Sequence, residues 1–462
     1  MKPILFANGL IFNDGFRFIG TIVVDNGRIQ RVDAGRISLS TVDREAYDIC
    51  DCEGRMVLPG VIDEHVHFRQ PGLTEKGDLH SESLAAIAGG VTSYFDMPNT
   101  APATTTIETW EQKNRMASEV SAANYAFFMG VTNSNIEHLL HADPTRIPGL
   151  KLFLGSSTGD MLVDDDSTII RLFLEFKGVI ACHAESERRI VENRQRLLEQ
   201  YPDGIPLKLH HMLRSRQACV EASAHAIELA RRTGARLHLL HVSTEDELAL
   251  LSDAPLSENR ISAETCPHYL YFDASSVETT GGLTKCNPAI KEDSDRRALL
   301  RALRDGRIDI VATDHAPHLL AQKQGNALTA ASGMPSIQFA LPLMLQLARN
   351  GNFTYESVVE KMCNNPARLY AIDRRGFIRP RYWADFAIID PDADYTITND
   401  DVISTCGWTP YAGQHLTFRV EQTWLNGRLA YDYRRTLPGN PAGPQSPFTG
   451  EQTALPLRFN PF

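Results

Sequence analysis

Short apolar runs alternate with longer helix-like segments through the middle of the chain. Each run has four to eight residues rich in aliphatic side chains, which is typical of a strand buried on both faces of a parallel sheet. The runs cover residues 57–62, 92–97, 125–130, 150–154, 179–182, 236–242, 260–265 and 308–312. Segments 185–199, 214–233 and 293–304 have helical length, and Gly306 after the last of them favours a helix end. Two more helical stretches, 336–350 and 354–364, follow the last run. Eight strand–helix units over roughly 260 residues predict an α/β fold, a (β/α)8 TIM barrel.

Both ends of the chain have a different residue pattern, in which strand-like runs are separated by turn residues. Residues 16–24 and 28–32 flank Asp25-Asn26-Gly27, a pattern that predicts a hairpin. Strands are also predicted at 384–390 and 416–425. We expect the two ends to pair into a small β-sandwich domain, with segments 1–56 and 373–435 on either side of a barrel at 57–372.

A proline-rich extension, residues 436–462, completes the predicted organisation. It has little periodicity, so we expect an extended arm or a disordered tail. Its aromatic end, 458–462, is expected either to dock on a neighbouring subunit or to fray.

Composition and charge narrow the class of protein. A hydrophobic fraction of 43% and a charged fraction of 22% are ordinary for a globular protein. The net charge of -11, without a Lys/Arg cluster, argues against a general nucleic-acid binder. The chain has no apolar stretch of 18 residues and no leader-like start, so we expect a cytoplasmic protein that does not enter a membrane. The eight cysteines are scattered, and we expect reduced packing thiols; Cys50-Asp51-Cys52 lacks a second pair that would favour a metal site.

Candidate metal ligands follow several of the predicted strands, where a barrel places its active site. His65 and His67 are two apart, so both rings point the same way on an extended segment, as a metal pair requires. His183, His241 and Asp314 end three later strands. His238, three residues before His241, should face the opposite side and be structural.

Lys151 lies inside an apolar run, where an unpaired ammonium is costly. Either a carboxylate pairs with it, or CO2 converts it to an anionic carbamate whose two oxygens bridge two metals. Imidazole and carboxylate ligands suit zinc.

Three motifs identify a family resemblance: Pro59 to Gly72 around the His65/His67 pair, Asp96-Met97-Pro98-Asn99-Thr100, and Ala312-Thr313-Asp314-His315-Ala316-Pro317-His318. Over about residues 59–390 the chain resembles the amidohydrolase superfamily and, within it, the dihydroorotases. The resemblance implies two Zn²⁺ ions bridged by carboxylated Lys151 and a hydroxide. One ion would be held by His65, His67 and Asp314, and the other by His183 and His241. Some dihydroorotases carry aspartate at the lysine position, so Lys151 favours the two-metal form.

The same resemblance implies the substrate contacts. Arg69, Asn99 and His318 would hold the α-carboxylate of the substrate, since an arginine fork matches a carboxylate. Asn287 would bond the pyrimidine ring, and Ser332 and Gly333 would supply loop contacts. The hydantoinases and dihydropyrimidinases lack the arginine, and allantoinases usually lack both the arginine and the histidine.

The implied activity is the reversible hydrolysis of the cyclic amide of (S)-dihydroorotate to N-carbamoyl-L-aspartate, the third step of pyrimidine biosynthesis. Asp314 would carry the proton, and a homodimer or tetramer is expected. The alternatives are a hydantoinase-, dihydropyrimidinase- or allantoinase-type amidase and a non-catalytic scaffold subunit. Two departures from the family stand out: Lys291 replaces a common arginine, and the alanine-rich loop 322–334 is only loosely similar.

Overall fold

The computed structural model describes residues 2–155, 161–437, 445–450 and 453–460. Its strands are β1 Ile4–Asn13, β2 Phe16–Asp25, β3 Arg28–Ala34, β4 Asp48–Asp51, β5 Met56–Pro59, β6 Val61–Val66, β7 Val91–Asp96, β8 Asn124–Phe127, β9 Met129–Gly130, β10 Gly149–Phe153, β11 Val179–His183, β12 Arg236–Leu239, β13 Ile261–Thr265, β14 Ile310–Val311, β15 Phe386–Asp390, β16 Tyr395–Thr396, β17 His415–Leu416, β18 Arg419–Leu425 and β19 Arg428–Asp432. Its α-helices are α1 Leu79–Ala88, α2 Ile107–Val120, α3 Ile136–Leu140, α4 Asp166–Glu175, α5 Glu187–Gln200, α6 His210–Leu213, α7 Arg216–Thr233, α8 Glu245–Leu248, α9 Pro267–Tyr271, α10 Val277–Thr280, α11 Asp293–Asp305, α12 Ala340–Arg349, α13 Tyr355–Val359 and α14 Asn365–Leu369.

The central part of the chain is a mixed α/β unit with parallel strands. Strands β6, β7 and β8 pair in that order, and β9 to β14 pair in sequence order. Strands β8 and β9 are two halves of one predicted run, interrupted at Phe128, whose N–H donates to Asp96 O at 3.1 Å. A parallel bridge between Val66 and His315 joins the segment after β14 to β6. These pairings agree with the predicted order of the parallel strands.

The first predicted run, 57–62, splits at Gly60 into β5 and β6. A Cβ at Gly60 would lie 2.1 Å from Thr92 Oγ1, so only glycine fits this close approach. Strand β5 leaves the central sheet and pairs with β1 and β15 instead. The run therefore serves two sheets, which its continuous apolar character did not reveal.

The two ends of the chain meet in one sheet, as expected. Its order is β19-β18-β15-β5-β1-β2-β3, with β4 paired to β1. The predicted hairpin is β2–β3, and Asn26 and Gly27 adopt φ values of 50° and 76° at its turn. Hydrogen bonds join these eight strands into one sheet, where a sandwich of two facing sheets was predicted, and β16 and β17 pair separately.

The C-terminal arm, which we define as residues 453–460, packs on its own chain. Pro456 forms a parallel bridge with Tyr125, and Leu457 N donates to Tyr125 O at 2.9 Å. The side chains of Leu457 and Phe459 are 2% and 5% exposed, in a cluster with Phe95. The expectation of fraying is wrong for residues 453–460, because they cover an apolar surface of their own chain. Docking on a neighbouring subunit stays a prediction, and residues 461–462 of the predicted aromatic end lie outside the described part of the chain.

All eight cysteines are free thiols, and six of them are buried, as the scattered spacing predicted. Within the described ranges, none of the helices combines the length and the apolar character needed to cross a bilayer.

Candidate metal centre and substrate pocket

One cavity of about 440 Å³ gathers every candidate site residue. The positions of three lining residues show that the cavity lies toward the carboxyl ends of the parallel strands. His183 ends β11, His65 is the next-to-last residue of β6, and Lys151 lies within β10. The residues predicted from the sequence that line it are His65, His67, Arg69, Asn99, Lys151, His183, His241, Asn287, Asp314, His318, Ser332 and Gly333.

His65, His67 and Asp314 form a compact potential metal site, with one ligand atom from each lying within 4.8 Å of the others. Asp314 Oδ1 is 3.2 Å from His65 Nε2 and 3.1 Å from His67 Nε2. Asp314 adopts a φ of 46°, an uncommon backbone conformation for a non-glycine residue. Burial lowers the pKa of His65 to about 3 and that of His67 well below its usual value. Both rings are therefore neutral and have the free nitrogen lone pairs that a cation needs.

His183 and His241 approach each other on the opposite side of the centre. His183 Nδ1 lies 2.8 Å from His241 Nε2, and burial lowers the pKa of both rings. His183 Nε2 is 3.1 Å from a carboxylate oxygen of Glu185, which Arg214 also pairs. Two neutral imidazoles at this separation are suited to share a divalent cation.

Lys151 is 1% exposed, and no carboxylate in the described part of the chain forms an ion pair with it. The alternative of a lysine paired with a carboxylate is therefore not found. Burial lowers the pKa of its ammonium to about 8, although Asp314 opposes the shift. A larger neutral-amine fraction at physiological pH favours reaction with CO2.

Glu264 is a buried acid beside the candidate ligands that the sequence reasoning missed. It lies in β13 with no exposed surface, and its Oε1 is 2.6 Å from His65 Nδ1. The same oxygen accepts the backbone N–H of His241 at 2.9 Å. A protonated Nδ1 leaves the lone pair of His65 on Nε2, toward Asp314. The available signal was an acid inside a buried apolar strand.

His238 faces away from the cavity, as predicted. Its Nε2 is 2.8 Å from Glu64 and its Nδ1 is 2.8 Å from Ser262 Oγ. Burial alone would lower the pKa of His238, but Glu64 and Glu264 outweigh it and raise the pKa to about 10. The cluster of His238, Glu64 and Glu264 is fully buried and contacts the candidate ligand His65 through Glu264.

Arg69 is a buried cation in the wall of the pocket. It is 3% exposed, its Nε donates to Pro317 O at 3.1 Å, and its Nη2 is 3.1 Å from His318 Nε2. Burial lowers the pKa of Arg69 to about 10, so it is still charged at neutral pH. Burial lowers the pKa of His318 to about 2, which leaves a neutral ring beside the guanidinium. No carboxylate of residues 2–155, 161–437, 445–450 or 453–460 forms an ion pair with Arg69.

Comparison with known proteins agrees with this chemistry. A model described as "Amidohydrolase family" matches residues 56–430. A dihydroorotase of Halobacterium salinarum is 34% identical over 424 residues, which are 90% of this chain and 96% of that protein. An allantoinase of Bacillus velezensis is 32% identical over 418 residues, covering 89% of this chain and 90% of its own. Among solved structures, L-hydantoinase (dihydropyrimidinase) from Arthrobacter aurescens has a TM-score of 0.86 at 25% identity, covering 93% of this chain and 96% of that chain.

Proposed function

We propose that this chain, which belongs to the amidohydrolase family and is a cyclic amide hydrolase, acts as a dihydroorotase. It would open the ring of (S)-dihydroorotate to N-carbamoyl-L-aspartate and close it in the reverse direction. The reverse direction is the one that pyrimidine biosynthesis uses.

The observation that carries the proposal is the buried guanidinium of Arg69 in the cavity. A buried charge without a countercharge is costly, so the folded pocket is suited to a ligand that brings a carboxylate. Dihydroorotate carries a carboxylate on its ring, whereas the rings of hydantoin, dihydrouracil and allantoin carry none. Asn99 and His318 line the same cavity and would complete the carboxylate site, with Asn287, Ser332 and Gly333 against the ring.

The donor set fits two divalent cations, and we propose zinc. His65, His67 and Asp314 would hold one ion, His183 and His241 the other, and Lys151 would bridge them as a carbamate together with a hydroxide. Support comes from the neutral, buried imidazoles and from the unpaired Lys151 among the described residues. When bound, two zinc ions would supply an acidic water and an electrophile for the amide carbonyl.

We propose that Asp314 moves the proton. Its Oδ1 lies beside both His65 and His67, so the carboxylate borders the position where the attacking water would sit. We propose that it takes a proton from that water and returns it to the ring nitrogen as the amide bond breaks. Arg69 holds the substrate so that the scissile amide, and not another carbonyl, faces Asp314.

The allantoinase relatives support a second candidate function, an allantoinase- or hydantoinase-type activity on an uncharged ring. The same metal ligands would serve it, so only the carboxylate contacts separate the two. The scaffold alternative is disfavoured, because all six candidate ligands line one cavity.

The remaining parts of the proposal concern architecture. We propose that the parallel strands close into a (β/α)8 barrel over residues 57–372, that segments 1–56 and 373–435 form the terminal β domain, and that the protein is a cytoplasmic homodimer or tetramer. Sedimentation analysis would measure the oligomeric state.

A substrate panel tests the function. Zinc-loaded protein is assayed with dihydroorotate, hydantoin, dihydrouracil and allantoin at equal concentrations. Hydrolysis of dihydroorotate is expected to be much faster than that of the other three rings. Preferred turnover of an uncharged ring would overturn the substrate assignment, and inactivity on all four with zinc bound would overturn the whole proposal.

A further inference from the structure

Lys323 is a buried lysine next to the substrate pocket that the mechanism does not use. It is 1% exposed, and its ammonium donates to three backbone carbonyls. The acceptors are Lys285 O at 2.9 Å, Ala331 O at 2.7 Å and Gly333 O at 2.6 Å. An ammonium has three N–H donors, so these three acceptors use its full capacity.

These carbonyls belong to two separate segments of the pocket wall. Ala331 and Gly333 flank Ser332 in the alanine-rich loop, while Lys285 lies two residues before Asn287. Gly333 N also donates to Lys285 O at 2.9 Å, so the two segments are in direct contact where the ammonium binds them.

A second contact extends the same support to the carboxylate site. The ammonium of Lys323 lies 5.8 Å from the ring centre of Trp408, whose Nε1 donates to His318 O at 2.8 Å. His318 Nε2 in turn is 3.0 Å from Ser332 O. The side chain of Lys323 thus lies among the segments that carry four of the six candidate substrate contacts.

We propose that Lys323 is a positioning residue for substrate binding, which holds the loop of Ser332 and Gly333 against the segment of Asn287. This inference rests on the proposed function only for the identity of the substrate. Ala327 and Ala330 of this loop are buried, and Leu328 packs against a neighbouring apolar cluster. The bonds from Lys323 add to this packing at residues 331–333, next to the pocket.

Lys323→Met tests the proposal, because methionine has a similar length and no donor. Ala331 O and Gly333 O then lose this donor, whereas Lys285 O keeps the N–H of Gly333, and the loop is expected to relax. KM should rise by about tenfold or more, because the residues that bind substrate are displaced. Zinc content and kcat should change by less than about threefold, since Lys323 contacts none of the candidate metal ligands. Lys323→Arg, which keeps the charge and the donors, should give a smaller rise in KM.

Lys177→Met is the matched control, since Lys177 is exposed and bonds one carbonyl, Leu174 O. It should leave KM and kcat unchanged. If Lys323→Met does not fold, the KM of Lys323→Arg decides: an unchanged value, with kcat lowered instead, would overturn the positioning role.

Hydrogen exchange gives a readout that needs no substrate. In Lys323→Met, amides at 329–334 and 284–287 should exchange faster together, while those of β11 keep wild-type rates. Unchanged exchange in both segments with KM within about twofold of wild type would overturn the proposal. If the wild type hydrolyses an uncharged ring, the assigned function fails, but the paired exchange effect and the KM effect on that ring still test Lys323.

Discussion

Replacing Arg69 with methionine should remove the preference of the enzyme for a ring that carries a carboxylate. Methionine keeps most of the side-chain volume and loses the guanidinium. In the structure that group donates to Pro317 O and contacts His318 Nε2, and its charge has no carboxylate partner in the described ranges. The substrate's carboxylate is therefore expected to be its countercharge.

The size of the effect follows from the burial of Arg69, which is 3% exposed. Hydrogen bonds to charged groups contribute about 1.5–3 kcal/mol each. A two-pronged contact with a carboxylate is thus worth about 3–5 kcal/mol, because solvent screens it little. At about 1.4 kcal/mol per factor of ten, kcat/KM for dihydroorotate should fall by about a hundredfold to a few thousandfold.

The assay compares dihydroorotate with dihydrouracil, which differs in lacking the carboxylate. The ratio of their kcat/KM values should collapse in Arg69→Met, because dihydrouracil never used the guanidinium. Arg194→Met is the control, as Arg194 lines the same cavity at its exposed side and should leave the ratio unchanged. A ratio that is unaltered in Arg69→Met, with zinc content preserved, would refute the reasoning.

Asp314→Asn should keep metal but lower kcat by about a hundredfold or more, measured with zinc analysis on the same sample; near-normal turnover would exclude the proton role. Glu264→Gln should weaken zinc affinity by about tenfold or more in a chelator competition, because the amide is a poorer acceptor for the N–H of His65; unchanged affinity would contradict this orienting role. Burial raises the pKa of Asp309 to about 6, above its unfolded value, so its contribution to stability decreases as the pH rises from about 4 to 6. Asp309→Asn should therefore raise the free energy of unfolding at pH 8 by on the order of 2 kcal/mol, seen as a higher Tm, and have little effect near pH 4. An equal effect at both pH values would be inconsistent with the raised pKa of Asp309. Phe459→Ala should destabilise the fold by about 3 kcal/mol in denaturant unfolding, because the ring is buried and lies 5.8 Å from the ring of Phe95; a change below about 0.5 kcal/mol would show that the C-terminal arm is not anchored.

Local patterns were sufficient to find the candidate ligands. The two-residue spacing of His65 and His67 places both rings on one face, and parallel strands bring their carboxyl ends together. The prediction that three later ligands end strands holds for His183 in β11, whereas His241 and Asp314 lie two and three residues after the ends of β12 and β14. The same periodicity correctly separated His238 from His241.

Local patterns could not predict which distant segments contact each other. Glu264 appears in the sequence only as an acid in an apolar strand, and its bond to His65 spans 199 positions. Pro456 in the C-terminal arm pairs with Tyr125, and nothing in a proline-rich stretch indicates which surface it covers. Lys323 gave no signal at all, because its partners are backbone carbonyls that every residue carries.

The most direct test of the central claim is a crystal structure of zinc-loaded Asp314→Asn protein with dihydroorotate, collected with anomalous scattering from zinc. Two zinc peaks are expected between the histidine pairs, with the substrate's carboxylate on the guanidinium of Arg69. A carboxylate bound away from Arg69, with the ring still at the metal centre, would contradict the substrate assignment.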